Sequence, residues 1–254
     1  MSGLRLYDVL LYGFIAAALF SMTYLFRVAA PYGRHSRGGF GPRINATLGW
    51  VLMEAPASLA PFALFWLAAR ERRQNPVLIA MLALWQLHYV YRSFIFPFRR
   101  RSTAPMSLLI PLSGILFNVG NAYLNWHYLT VLRAAYEPSW FADPRFLGGL
   151  GLFLTGFVIN QHSDWILLHL RRPGETGYKI PYGGLYRLVS CPNYLGELIE
   201  WSGWAVLTWS LPGAVFALWT AANLLPRAVA HHRDYQRRFS NYPPERRAVL
   251  PFLL

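Results

Sequence analysis

The sequence predicts an all-α, multi-pass membrane protein, a bundle of seven transmembrane helices forming one domain over residues 1–254. Three observations lead there. Hydrophobic side chains make up 55% of the chain and charged ones only 14%, whereas a soluble domain carries about 25% charge. Apolar stretches recur at the length of roughly 20 residues that a helix needs to cross the hydrocarbon core. The basic residues collect in alternate loops, as in chains that thread a bilayer repeatedly.

Taken in order, the first stretch, 8–30, lacks a small-residue cleavage site and reads as a retained span. Stretches 47–69, 76–97, 107–133 and 146–169 follow. Region 194–230 is long enough for two more, divided at Leu211-Pro212-Gly213, where a Pro-Gly pair would end one helix and allow a tight reversal. Six spans with one re-entrant segment is the alternative count. With the N-terminus outside, seventeen basic loop and tail residues fall on the inner side; Arg5, Arg70, Arg72, Arg73, Arg133 and Arg145 fall outside. That bias predicts a cytoplasmic C-terminus. No internal repeat, low-complexity tract or linker divides the chain.

The 10 Trp and 15 Tyr suit membrane–water interfaces. A net charge of +13 on so apolar a chain suits inner loops, anionic lipid headgroups or an anionic cofactor, and excludes nucleic acid as a partner. One cysteine, Cys191, rules out an intramolecular disulfide and a multi-cysteine metal site, and no metal is expected. Twenty-three Arg against one Lys hints at a GC-rich genome, hence a bacterial inner membrane rather than the endoplasmic reticulum.

Ionisable residues near the bilayer centre cost roughly 2.5–3.5 kcal/mol on insertion scales, which makes each a functional candidate. Glu54 lies inside the second span, and Pro56 beside it frees a backbone carbonyl, as a ligand cavity requires. A carboxyl held by an arginine of another helix is the bland alternative. In His88-Tyr89-Val90-Tyr91-Arg92, Tyr89 shares a face with Arg92 and Ser93, and spacing alone favours an aromatic belt with a snorkelling arginine. Asn160 and Asp164 stack four apart near the inner end of the fifth span, followed by Arg171 and Arg172. They fit ribose, amide and phosphate groups, or equally an interhelical hydrogen-bond network.

Beyond a glycine-rich stretch at Gly183-Gly184, Pro192 opens a helix on which Asn193, Glu197 and Glu200 form a polar stripe. Two carboxylates entering an apolar helix are hard to explain by packing. In the tail, Arg227, His231, Tyr235 and Arg238 recur on one helix face, either a basic surface resting on headgroups or a platform for phosphate and nucleobase. His231 and His232 are adjacent and project to different faces, which argues against a zinc pair. Gly148-Gly149-Leu150-Gly151 has no preceding strand, so it is not a dinucleotide fingerprint.

These runs together resemble the steroid 5-alpha-reductase (3-oxo-5-alpha-steroid 4-dehydrogenase) family. The likeness rests on Asn160-Gln-His-Ser-Asp164, Leu170-Arg171-Arg-Pro-Gly-Glu175, and Gly184-Leu185 through Asn193-Tyr-Leu-Gly-Glu197 to Glu200-Trp201. It continues through His231-His232-Arg233, Tyr235 and Tyr242-Pro243 to Pro251-Phe252, and reaches Tyr32-Gly33-Arg34-His35, Glu54 with Pro56, and His88-Tyr89 with Arg92. The resemblance implies a seven-span helical enzyme, a monomer in membrane lipid, that binds NADPH from the cytosolic side and reduces the C4=C5 double bond of 3-oxo-Δ4 steroids or another lipophilic enone. Carried over position by position, Asn160, Asp164, Arg171, Tyr178, Asn193, Glu197, Arg227, His231 and Tyr235 look like cofactor contacts. Glu54 and Tyr89 look like the pair that polarises the ketone. Two departures stand out. Mammalian members have Gln where this chain has Met53, and an Asn-Arg-Gly-Arg run where it has Arg99-Arg100-Arg101-Ser102, leaving the arginine on the cofactor 2′-phosphate unassigned.

Such chemistry makes negative charge on the carbonyl oxygen, which hydrogen-bond donors stabilise. Tyr89 donates through its hydroxyl, and Glu54 only when protonated, the form an apolar site favours. An enoyl-CoA reductase shares the cofactor but not the substrate. An isoprenylcysteine-type methyltransferase, dependent on S-adenosylmethionine, resembles the chain around Pro192-Asn193-Tyr194-Leu195-Gly196-Glu197, though its motif begins Arg-His-Pro. A non-catalytic sterol-binding protein would leave the inner polar stripes unused.

Overall fold

The computed structural model of the chain describes residues 5–28, 41–100, 104–172, 174–175 and 177–254. Tyr32-Gly33-Arg34-His35, Arg101, Ser102 and Pro173 lie outside them. Helix α1 (Leu6–Arg27) is followed by α2 (Ala46–Leu67), the single-turn α3 (Arg70–Arg73), α4 (Pro76–Val90), the short α5 (Phe96–Arg99) and α6 (Leu109–His127). Then come α7 (Pro144–His169), α8 (Pro192–Thr208) and α9 (Leu211–Arg238). Helical segments thus occupy every stretch the sequence marks as apolar. The only ladder among the described residues is a two-residue antiparallel ribbon, β1 (Arg43–Ile44) against β2 (Met106–Ser107). By length and apolarity, α1, α2 and α9 are long enough to cross a membrane.

The caps explain where helices begin. Asn45 accepts from the Thr47 and Leu48 amides at 2.9 and 3.1 Å, and Asn75 accepts from Leu78 at 3.0 Å ahead of Pro76. The sequence places the last break at Leu211-Pro212-Gly213, but it falls two residues earlier. Trp209 takes the left-handed conformation (φ 44°) and Ser210 caps α9 through the Gly213 amide. Proline has no N–H to lose in a first turn, so Pro212 starts a helix instead of ending one.

The chain divides into two compact units, one of residues 1–11 and 31–146, the other of 12–30 and 147–254. In the first, α2 packs against α6 and α4. Pro61 has no N–H for the carbonyl of Ala57, and the Trp85 indole supplies it at 2.7 Å. One residue on, Ser58 and Gln86 exchange two hydrogen bonds, at 2.7 and 2.8 Å. Past Val90 the helix widens into a π-turn over Tyr91–Ile95 before Pro97, so Tyr89, Arg92 and Ser93 do not follow one regular α face.

In the second unit, glycines bring α7 and α8 into backbone contact. A Cβ at Gly149 would lie 2.4 Å from the Leu207 amide nitrogen, and one at Gly156 would lie 2.3 Å from that of Glu200. On the facing helix, Cβ atoms at Gly196 and Gly203 would meet the backbones of Asn160 and Phe153 at 2.5 and 2.4 Å. Two glycines seven apart on each helix form one seam, the small-residue packing that membrane helices use. Gly149 therefore has a packing role, while Gly148 and Gly151 face open space. After α9 the chain returns. The Ser190 and Cys191 amides donate to Arg247 and Ala248 at 2.8 and 3.0 Å, covering a core of Cys191, Leu195, Ala228, Ala248 and Val249.

Gly156→Val should separate α7 from α8 and lower the thermal unfolding midpoint in detergent, by about 1–3 kcal/mol of stability. Gly148→Ala should leave the midpoint unchanged or raise it. Equal effects would refute the seam.

Candidate functional site

The first group of predicted residues lies on α2 and α4. Trp85 of α4 is bonded to Ala57 of α2, and the Arg92 guanidinium lies 5.0 Å from the Trp50 ring. From the Trp85–Ala57 contact to the Arg92–Trp50 contact, seven residues on along α4, the α2 partner falls by seven, so the pair runs antiparallel. Tyr89 stands midway between Trp85 and Arg92, level with Glu54, which stands midway between Ala57 and Trp50. Tyr89 is buried, 4% exposed, with its ring 5.0 Å from those of Trp85 and His88. It is thus an interior residue, not the aromatic-belt residue its spacing suggested. Arg92 does sit among aromatic rings, with Phe96 4.9 Å away.

Glu54 has a partner that sequence reasoning missed. Asn118 of α6 donates from Nδ2 to the Met53 carbonyl at 2.7 Å and to Glu54 Oε2 at 3.4 Å. Asn118, Asn121 and Asn125 recur at i, i+3 and i+7 on α6 and all are buried. Three amides on one face of an apolar helix were a visible signal.

The second group gathers around the first turn of α8. The seam of glycines sets Asn160 and Asp164 of α7 beside Asn193 and Glu197 of α8. Asn160 Nδ2 donates to the Asn193 carbonyl at 3.1 Å and to Glu197 Oε1 at 3.3 Å, and Asn193 Nδ2 donates to Asp164 Oδ1 at 3.1 Å. Asn160 and Asp164 are almost wholly buried. On the other side of the same turn, Tyr194 reaches α9, its hydroxyl 3.2 Å from His231 Nε2. Arg227 Nε approaches the same nitrogen at 3.5 Å. Tyr194 joins two sets of predicted residues, yet the sequence presented it only as part of a motif.

Tyr235 stacks on Tyr242, centroids 5.3 Å apart. His232 points away from His231 and bonds Ser190 Oγ at 2.6 Å, as expected for adjacent helical residues. The connection between α7 and α8 carries Arg171 and Tyr178, both off the helical cluster. Arg171 donates to the Gly177 carbonyl at 3.3 Å, and Tyr178 lies under Arg238 at 4.9 Å. Gly183 and Gly184 both have positive φ, and a Cβ on Gly184 would meet the His162 ring at 2.6 Å, so that bend needs glycine. Just beyond it, burial raises the Tyr186 hydroxyl pKa well above its usual value, and the nearby Asp164 adds to the shift. This phenol stays neutral beneath the carboxylate.

Among the described residues no group of three His, Cys, Asp or Glu could hold a metal ion. The donor set suits an anionic, hydroxyl-rich ligand instead. Carboxylates accept from hydroxyls, amides pair with amides, guanidiniums take phosphates, and tyrosines offer stacking faces.

The family model described as 3-oxo-5-alpha-steroid 4-dehydrogenase matches residues 104–254. The chain is 43% identical over 253 residues to 3-oxo-5-alpha-steroid 4-dehydrogenase 1 of Rattus norvegicus, covering 99% of this chain and 96% of the relative. It is 43% identical over 222 residues to the Homo sapiens protein of the same name, covering 87% and 85%. Steroid 5-alpha-reductase DET2 of Arabidopsis thaliana is 40% identical over 232 residues, covering 88% and 87%. These relatives are animal and plant proteins, and none supports the bacterial membrane suggested by the arginine bias.

Trp85→Phe should destabilise the protein by about 1–3 kcal/mol, because the Ala57 carbonyl loses its donor. In a Pro61→Ala background the loss should shrink, since residue 61 then supplies an N–H. Additive effects in a double-mutant cycle of thermal unfolding would argue against the pairing.

Proposed function

The chain belongs to the 3-oxo-5-alpha-steroid 4-dehydrogenase family of oxidoreductases, and from that premise we propose that it reduces the C4=C5 double bond of 3-oxo-Δ4 steroids with NADPH. What supports the reading is the shared level of Tyr89, a buried phenol, and Glu54 on the paired helices α4 and α2, inferred from the Trp85–Ala57 and Arg92–Trp50 contacts that bracket both. Both units lie within the matched region of the rat protein, which supports treating residues 1–254 as a single catalytic domain.

NADPH supplies the hydride that adds to the enone β-carbon. The protein's part is to stabilise the negative charge that develops on the ketone oxygen. Tyr89 donates through its hydroxyl and a protonated Glu54 through its carboxyl, and in a water-poor interior two aimed donors act far more strongly than they would in water. Burial of Tyr89 among Trp85 and His88 fixes its ring and keeps water away. For the cofactor, Asn160, Asp164, Asn193 and Glu197 offer amide and ribose contacts. Arg171 and Arg227 offer phosphate contacts, with His231, Tyr178 and Tyr235 alongside. The start of α8, which opens at Pro192 without a side-chain cap, adds the positive end of a helix dipole. We further propose that all seven helical stretches cross the bilayer, with the N-terminus outside and the C-terminus cytoplasmic, as the loop arginines indicate.

Purified protein in detergent should consume NADPH with progesterone or testosterone, and not with a long-chain enoyl-CoA. NADPH should raise its unfolding midpoint while S-adenosylmethionine leaves it unchanged. Tyr89→Phe should lower kcat by about 10²–10³-fold, the cost of losing one oxyanion donor, with NADPH affinity changed less than about twofold. Equal loss of turnover and NADPH affinity would remove Tyr89 from the chemistry.

A further inference from the structure

We propose that Asn118 is the positioning residue for Glu54, selecting which carboxyl oxygen carries the donating proton. This rests on the reading of Glu54 as a donor to the substrate ketone. The Asn118 amide is buried in α6, and its Nδ2 faces two oxygens, the Met53 carbonyl at 2.7 Å and Glu54 Oε2 at 3.4 Å. Turned over, the amide would set its own oxygen against both, so the NH2 orientation is fixed by chemistry. One N–H holds the backbone of residue 53 and the other approaches the neighbouring carboxyl.

The grip on α2 has a second point. Gly114, four residues before Asn118 on the same face of α6, lies so close to Met53 that a Cβ would stand 2.0 Å from its Cγ. The Met53 side chain is held in the notch at Gly114 and its carbonyl by Asn118. The backbone at residue 54, next in the chain, cannot slide along α6 or turn about the α2 axis without breaking one of these contacts.

The consequence concerns the proton. A carboxyl that donates to a ketone has one O–H and one acceptor oxygen, and in isolation either oxygen can take either part. A donor directed at Oε2 makes Oε2 the acceptor, which leaves the proton on Oε1. Asn118 never touches the substrate; it removes the half of the carboxyl arrangements that cannot donate and restrains the rest.

The test is N118L in detergent, read by steady-state kinetics and by the infrared carbonyl stretch of protonated Glu54, a band assigned by its loss in E54Q. N118L should lower kcat about tenfold, the effect of one hydrogen bond, with the KM for NADPH within twofold. The Glu54 band should move to higher wavenumber, because its carbonyl oxygen has lost a donor. N118Q, which keeps the amide, should recover most of the turnover and the original band. N118S, a smaller change that also withdraws the amide, replaces N118L if that variant does not fold. An unmoved band, unchanged kcat, an equal rise in the KM for NADPH, or N118Q as impaired as N118L would overturn the proposal. If E54Q keeps full turnover, the ketone reading itself fails and this one with it. If E54Q is inactive while N118L is normal, only the role of Asn118 falls.

Discussion

Every polar group in an apolar helical bundle must find its partner within the protein, since lipid offers none and each unsatisfied group costs several kcal/mol. That constraint accounts for most of the specific geometry of this chain. Pro61 deprives the Ala57 carbonyl of its donor, and the Trp85 indole from the neighbouring helix takes the place. The bond fixes α4 against α2 at one register, with the Ser58–Gln86 exchange as a second point. Once the register is fixed, Tyr89 has no choice of neighbour level. The position of a residue suited to chemistry is thus set by a proline and a tryptophan that take no part in it.

The second unit meets the same demand by close approach. Without side chains at Gly149, Gly156, Gly196 and Gly203, α7 and α8 touch backbone to backbone. At that separation short side chains reach across, and so Asn160, Asp164, Asn193 and Glu197 can interlock at 3.1–3.3 Å. Larger residues at the seam would push the helices apart and leave those amides and carboxylates stranded. The first turn of α8 then acts as a junction, Asn193 bonding toward α7 and Tyr194 toward α9.

How much of this was legible in the sequence follows from which signals are local. Apolar length is local, and all seven stretches are helical. The residues around Asn160, Asn193 and His231 form compact runs, and their likeness to a known family was readable from short motifs. The break before α9 was misplaced by two residues because Pro-Gly was read as a stop, although Pro within a first turn is a start and Ser210 supplied the cap. Gly149 was rightly refused as a nucleotide motif, but its packing role needed the facing Gly203, which lies 54 positions away in the sequence. Tyr89 looked like a belt residue because spacing says nothing of the neighbour that will bury it.

Asn118 is the most instructive omission. Asn160 and Asn193 stand out in the sequence because charged residues accompany them, whereas Asn118 has only apolar and neutral neighbours, and a lone asparagine costs less to insert than a charge. Yet a neutral amide is the better partner for a carboxyl that has to donate. An arginine in its place would favour the ionised form and pair with it, which removes the only proton Glu54 has to offer. An amide N–H is a weaker donor that can orient a carboxyl and leave it neutral. The bland expectation for Glu54, a carboxyl held by arginine, and the functional one therefore call for opposite partners. On the proposed reading, the Asn118 amide, 3.4 Å from Glu54 Oε2, is a contact of the second kind.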